Sequence, residues 1–163
     1  MTTFTLIHIA ISLVGILAGF VVLFGLFTSK RLDGWTGLGL AATVATSVTG
    51  FFFPFHGITP AIVTGIVSLV VLAVAIFARY ARHLVGAWRK TYVISAVLAL
   101  YLNVFVLIVQ SFLKIPALKA IAPTQNDPPF KLTQIVVSVT FITLGIFAAI
   151  RFRIEPAPAT RSI

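Results

Sequence analysis

Five long stretches of this chain contain no Asp, Glu, Lys or Arg, and no other feature of the sequence constrains the fold as strongly. The five stretches are residues 4–28, 36–53, 61–78, 91–113 and 132–150. A helix needs about 20 apolar residues to cross the roughly 30 Å hydrocarbon core of a bilayer. Lipid offers the backbone no hydrogen-bond partners, so apolar runs of this kind must be helical to cross it. The sequence therefore predicts an all-α integral membrane bundle of five transmembrane helices.

Charged residues are too scarce in this chain to cover a water-facing surface. Of its 163 residues, 60% are hydrophobic and 9% are charged, whereas a soluble domain carries about 25% charged residues. The net charge of +9 alone would fit a nucleic-acid binder, but the charges are sparse and confined to the connections and the tail. The sequence contains no cysteine, which excludes disulfides, thiolate metal sites and cysteine catalysis. We expect the lipid bilayer as the main partner and no nucleic acid.

The basic residues predict how the five helices are oriented in the membrane. With five crossings, the helix 1–2 connection, the helix 3–4 connection and the tail share one side, and they hold nine of the 12 basic residues. The other three are Lys114, Lys119 and Lys131. Cytoplasmic segments are enriched in Lys and Arg. The N-terminus is therefore predicted outside and the C-terminus in the cytoplasm.

The composition of the connections predicts a single transmembrane domain over residues 1–154. Residues 155–163 are rich in Pro and Ala and are predicted to form a disordered tail. The outer connection, residues 114–131, contains four prolines among spaced apolar residues. This pattern predicts a short interfacial helix followed by an extended turn.

Short signals mark the ends of the predicted helices. Thr59 followed by Pro60 is typical of an N-cap and a first helical residue, and Asp127 before a proline fits the same role. Asp33 and the glycine that follows it are predicted to form the turn between the first two helices.

Small residues on two helices predict close helix packing. Gly15 and Gly19 form a small-xxx-small pair on one stripe of the first helix, which lets a neighbouring backbone approach. Thr46 and Thr49 lie on one face of the second helix. We expect these four residues at helix–helix contacts inside the bundle.

Four polar residues are the candidates for binding a ligand or lining a pocket: His8, His56, Asn103 and Gln110. The predicted topology places both histidines on the outer side, and the two amides share a stripe of the fourth helix. Two neutral imidazoles can ligate haem iron or another transition metal. The sequence has no Cys-x-x-Cys-His motif, so such a haem would be a non-covalent haem b. The alternative is that these side chains only hold the bundle together through hydrogen bonds.

Three functional hypotheses follow from the sequence. The leading one is a non-catalytic bundle without a cofactor, which self-associates or serves as an accessory subunit of a partner membrane protein. The alternatives are a haem- or metal-binding redox protein that uses His8 and His56, and a small-solute channel or carrier along the Asn103–Gln110 stripe. An enzyme is disfavoured, because the three acidic residues of the chain are divided between the two sides of the membrane and no two carboxylates can act together.

Five segments resemble a group of small bacterial multi-pass membrane proteins. The segments are RLDGW (31–35), TSVTGF (46–51), ARHLVGAWR (81–89), YLNVFVL (101–107) and APTQNDPPF (122–130). The resemblance covers nearly the whole chain and implies a location in the bacterial inner membrane. It implies no activity.

Overall fold

The computed structural model describes residues 2–54 and 57–153, and over these ranges the chain is helical and contains no strand. The six α-helices are α1 (Thr3–Phe27), α2 (Asp33–Gly50), α3 (Pro60–Ile76), α4 (Ala87–Lys114), α5 (Pro116–Ile121) and α6 (Pro128–Arg151). A π-helical turn, Phe77–Ala81, continues α3. The prediction of an all-helical protein is confirmed.

Four of these helices are long and apolar enough to cross a membrane: α1, α3 with its π-turn, α4 and α6. These four fit a membrane protein. The second predicted span, α2, is 18 residues long. It is not among the four, because its glycines, its threonines and Asp33 leave it without an 18-residue window as apolar as theirs. Its place in the structure is alongside α1, with which it forms the most extensive helix–helix contact of the bundle.

Several helices extend beyond the charge-free stretches. α4 begins at Ala87, so that Arg89 and Lys90 lie in its first turn, and α6 begins at Pro128. Long basic side chains are compatible with the end of a membrane helix, because their heads reach the interface while their stems stay in apolar surroundings. The expectation of a turn at Asp33 is wrong. Asp33 is the first residue of α2. At this position its negative charge is stabilised by the positive end of the helix dipole.

The helix starts follow the local signals to different degrees. Thr59 caps α3 as the sequence predicts, since its side chain accepts a hydrogen bond from the backbone N–H of Ile62 at 3.4 Å. Asp127 precedes α6, but its carboxylate bonds backward, to the backbone N–H and the hydroxyl of Thr124 at 2.7 and 2.8 Å. The six-residue α5 lies where the sequence predicts a short helix. The predicted tail, residues 155–163, lies outside the described residues.

The middle of the bundle is formed by α1 and α4, the most buried of the four candidate spans. α4 contacts α1, α3 and α6, and α3 and α6 are the least buried of the four candidate spans. At the closest approach of α1 and α2, a Cβ atom added at Gly39 would lie 3.6 Å from the backbone nitrogen of Gly19 and from the carbonyl carbon of Ala18. At Gly39 the space between the two helices, near the Gly15–Gly19 pair, is thus about the size of one Cβ atom.

One serine joins the first and the last long helix. The hydroxyl of Ser29, just after α1, donates to the carbonyl oxygen of Arg151 at 2.7 Å and accepts from the backbone N–H of Arg153 at 3.1 Å. Ser29 has a φ of 55°, in the left-handed region that non-glycine residues seldom adopt. These contacts fix the end of α6 to the connection between α1 and α2.

Candidate functional site

His8 is held against the end of α2. Its Nδ1 lies 2.8 Å from the hydroxyl of Thr49, and that hydroxyl also donates to the carbonyl oxygen of Ala45 at 2.7 Å. The hydroxyl has only one proton, and it donates that proton to Ala45. We therefore assign the proton of the bond between His8 and Thr49 to His8 Nδ1, so that the hydroxyl accepts it. The edge-to-face contact of the imidazole with the Phe53 ring, with centroids 5.0 Å apart, further fixes its position.

Asn103 is buried between α4 and α1. Its Oδ1 accepts a long hydrogen bond of 3.5 Å from the hydroxyl of Ser12, and its Nδ2 has no hydrogen-bond partner among the described residues. A Cβ atom added at Gly15 would lie 3.4 Å from this Nδ2 and 3.1 Å from the hydroxyl of Thr43. The missing side chain of Gly15 thus lets an amide and a hydroxyl approach α1. We call His8, Ser12, Thr43, Thr49 and Asn103 the outer polar strip, where "outer" and, below, "inner" follow the orientation that the sequence predicts.

Three other residues predicted from the sequence, Gln110, Thr46 and Gly19, are not part of this strip. Gln110 is half-buried and lies seven residues beyond Asn103, a rise of about 10 Å along the helix. His56 lies outside the described residues. The hydroxyl of Thr46 donates to the carbonyl oxygen of Ala42 at 2.9 Å, within its own helix. Gly19 faces Leu100, whose Cδ1 would lie 2.6 Å from an added Cβ.

The interior next to the strip has little free space. The cavity between α1, α2, α3 and α4 has a volume of about 40 Å³ and is lined by residues that include Gly15, Thr36, Thr43 and Tyr92. Small-molecule pockets usually measure about 300–1,000 Å³. Within residues 2–54 and 57–153, no group of three or more His, Cys, Asp or Glu side chains is placed to hold a metal ion.

At the other end of the bundle lies a charged cluster that the sequence did not predict, which we call the inner charge cluster: Asp33, Thr36, Arg79 and Tyr92. Only 1% of the Arg79 side chain is exposed, against 71% for Asp33. Arg79 Nη2 donates to Asp33 Oδ1 and to the carbonyl oxygen of Arg31, the latter at 3.2 Å. The guanidinium carbon lies 5.2 Å from the centroid of the Tyr92 ring, a cation–π distance.

The inner charge cluster exists because α3 ends in a π-turn. The backbone N–H of Arg82 bonds to the carbonyl oxygen of Phe77 at 3.0 Å, five residues earlier, and the wider turn directs Arg79 into the bundle. His83 and Leu84 follow with φ of 49° and 60°, which reverses the chain. Isolated π-turns of this kind are frequent at functional sites.

The sequence places Arg79 in the connection between the third and fourth predicted helices, because it directly follows a charge-free stretch. One signal in the sequence pointed to the pair: Asp33 and Glu155 are the only acidic residues among nine basic ones in the segments predicted to be cytoplasmic. An isolated acid in that setting is expected to have a basic partner. No spacing rule identifies Arg79 as that partner, since it lies 46 residues away.

The chain matches no protein-family model, no curated protein and no solved structure. Its function is therefore inferred from the geometry of these two polar regions and from the sequence.

Proposed function

We propose that this protein is a single-domain, five-span bundle of the bacterial inner membrane that works without catalysis, by associating with itself or with a partner membrane protein. The N-terminus is outside and the C-terminus is cytoplasmic. α2 is the fifth span in this proposal. The four apolar helices and the distribution of basic residues support it.

The hydroxyl groups of α2 support its assignment as a span. Thr43, Thr46 and Thr49 each donate to the backbone carbonyl oxygen four residues earlier, at 2.7, 2.9 and 2.7 Å. A hydroxyl that bonds to its own helix costs less in lipid than a free one. Together with the long contact to α1, these bonds allow a helix of modest hydropathy to sit within the bilayer.

One observation carries the proposal of a non-catalytic role: two of the polar residues predicted from the sequence bond to a neighbouring helix. His8 pairs with Thr49 and Asn103 with Ser12. The cavity that Gly15 and Thr43 line, further along the bundle, has a volume of about 40 Å³, which is too small for a haem. Polar side chains that bond across helices stabilise a membrane bundle by about 0.6 kcal/mol each on average, which is the role we give them.

The mass of the purified protein tests this proposal. In mild detergent, size-exclusion chromatography with light scattering is expected to give a dimer, a higher oligomer or a stoichiometric complex with another membrane protein. A strictly monomeric protein with no co-purifying partner would overturn the proposal.

The same sample tests the haem and metal alternative. We expect no Soret absorption band and no stoichiometric metal. A Soret band that His8→Ala abolishes would replace the proposal with the redox function at His8 and His56.

Flux through liposomes tests the channel alternative. We expect no solute flux above that of empty liposomes. Flux that Asn103→Leu abolishes would establish a pathway along the Asn103–Gln110 stripe instead.

The orientation is tested by labelling single cysteines, because the chain has none of its own. Thr124→Cys is expected to react with a membrane-impermeant maleimide in intact cells, and Ser162→Cys only after permeabilisation. The reverse pattern would invert the proposed topology.

A further inference from the structure

An open groove of about 1120 Å³ runs between α4 and α6. Its walls are apolar and include Ile94 of α4 and Ile142 and Ile146 of α6. At one end the hydroxyls of Tyr101 and Ser138 lie 2.8 Å apart and cross between the two helices. The groove is thus an apolar channel on the lipid-facing side of the bundle, closed at this end by a hydrogen bond.

The other end of the groove is basic. Arg89, Lys90 and Arg153 line it there, and Arg89 Nη1 donates to the carbonyl oxygen of Phe152. The contacts of Arg153 and Arg151 with Ser29 hold the end of α6 in place. These backbone contacts keep the ends of α4 and α6 together, so that three positively charged residues surround one opening of the groove.

The acidic residues of the described chain do not neutralise this opening. Asp33 pairs with Arg79 and Arg31, and Asp127 lies before the start of α6, at its other end. The third acidic residue of the sequence, Glu155, lies outside the described residues.

The length of the groove matches one leaflet of a bilayer. From Lys90 to Tyr101 the axis of α4 rises about 17 Å, at about 1.5 Å per residue. Half of the hydrocarbon core measures about 15 Å. An acyl chain that enters beside Lys90 would therefore end near the pair of hydroxyls.

We propose that this groove binds one anionic phospholipid of the cytoplasmic leaflet, with its phosphate at Arg89, Lys90 and Arg153 and an acyl chain along the apolar walls. Basic pockets between membrane helices on the cytoplasmic side suit such headgroups. The charge also argues against a second copy of the chain as the occupant, because a parallel copy would bring its own basic end to the same opening. This site rests on the proposed orientation in the membrane but not on the proposed self-association, and lipid binding and self-association can each fail without the other.

Fluorescence quenching by brominated lipids tests the site in the full-length protein. Ile142→Cys places a bimane label in the groove, and Thr143→Cys places one at the same depth but outside it. In vesicles of phosphatidylcholine with a minor fraction of phosphatidylglycerol, brominated phosphatidylglycerol is expected to quench the label at position 142 more strongly than the label at 143. Brominated phosphatidylcholine at the same mole fraction is expected to quench both labels equally.

Charge variants show whether the basic opening is responsible. Lys90→Gln with Arg153→Gln is expected to lower the affinity of the groove for phosphatidylglycerol about 25-fold, since each basic side chain near an anionic lipid contributes about fivefold. The control, Lys30→Gln with Arg151→Gln, removes the same charge from the same side. Lys30 is exposed and the guanidinium of Arg151 lies over the Phe147 ring, 4.9 Å from its centroid, so neither lines the groove. This pair is expected to change the affinity less than about threefold.

Two results would overturn the proposal. Equal quenching of both labels by both lipids would mean that the groove holds bulk lipid without selection. Protection of the label at position 142 from both lipids, together with disulfide cross-linking of Ile142→Cys between two chains, would assign the groove to a second copy. Folding of every variant is checked by its helical circular dichroism before the titration.

Discussion

The outer polar strip and the inner charge cluster are both sets of polar contacts in an apolar bundle, but only the cluster contains a buried charge. In the outer strip all groups are uncharged, and the threonine hydroxyls also bond to their own helix. In the inner cluster Arg79 is buried and permanently charged, and its partner Asp33 is mostly exposed. A neutral hydroxyl that loses its partner has the backbone to bond to, whereas a buried guanidinium has no such substitute. We therefore expect the bundle to tolerate changes in the strip and to resist them in the cluster.

The largest expected effect is that of Asp33→Asn. It removes the charged acceptor from Arg79 and leaves the carbonyl of Arg31 as the remaining partner. Hydrogen bonds to charged groups contribute about 1.5–3 kcal/mol, so we expect a loss of about 2 kcal/mol in the free energy of unfolding. Unfolding in mixed micelles can be followed by the fluorescence of Trp35 and Trp88.

The control for this change is Arg79→Met, which removes the buried charge and leaves Asp33 in solvent. Replacing a buried ion by an apolar side chain is often neutral, so this variant and Asp33→Asn/Arg79→Met are expected to be more stable than Asp33→Asn alone. If adding Arg79→Met to Asp33→Asn gives no recovery, the burial of the charge is not what makes Asp33 necessary.

A smaller effect is expected where α1 and α2 meet, between the two regions. Gly39→Val would press a side chain against Ala18 and Gly19. Overpacking costs about 1–3 kcal/mol, and we expect about 1 kcal/mol here, because the Cβ atom itself makes only ordinary van der Waals contacts. Gly37→Val is the matched control on the same helix, since a Cβ there meets nothing within 4 Å. The difference in unfolding free energy between the two variants measures the close approach, and equal stabilities would refute it.

A still smaller effect is expected from the outer strip. A double-mutant cycle with His8→Ala and Thr49→Val is expected to give a coupling energy of about 0.6 kcal/mol, the average for hydrogen bonds between membrane helices. The same unfolding assay applies. A coupling as large as that between Asp33 and Arg79 would abolish the contrast between the two regions.

The smallest effect is expected in the turn before α6, outside the membrane. Hydrogen bonds from the backbone N–H and the hydroxyl of Thr124 lower the pKa of Asp127. The stabilisation they give is complete above the ordinary aspartate pKa of about 3.9 and is lost as the pH falls through the lower pKa of the folded state. Thr124→Ala is expected to raise the pKa of Asp127 in a carboxyl-carbon NMR titration, while Thr133→Ala, in α6, leaves it unchanged. An unshifted pKa in Thr124→Ala would show that the backbone N–H alone sets it.

The sequence predicts the helical class well because the absence of charge over long runs is a property of each segment by itself. The cap at Thr59 is local in the same way. The inner charge cluster is not local, because the position of Arg79 depends on a π-turn and on Asp33, 46 residues away. The spacing of apolar residues along the sequence predicts neither the turn nor the partner. The stripe that the sequence predicts on the fourth helix includes Asn103, which is buried in the structure. It could not show that Ser12 would be its partner, since that depends on the rotation of α1 against α4.

Ser29 has a consequence for how the protein is made. Its hydroxyl bonds to the backbone of Arg151 and Arg153, which lie 122 and 124 residues later in the chain, so during synthesis these contacts form only after α6 has been made. α1 is complete long before the backbone at Arg151 and Arg153 has left the ribosome. This end of the bundle is thus closed later than the contacts among α1 to α5 can form. A chain that stops short of α6 would leave this end open.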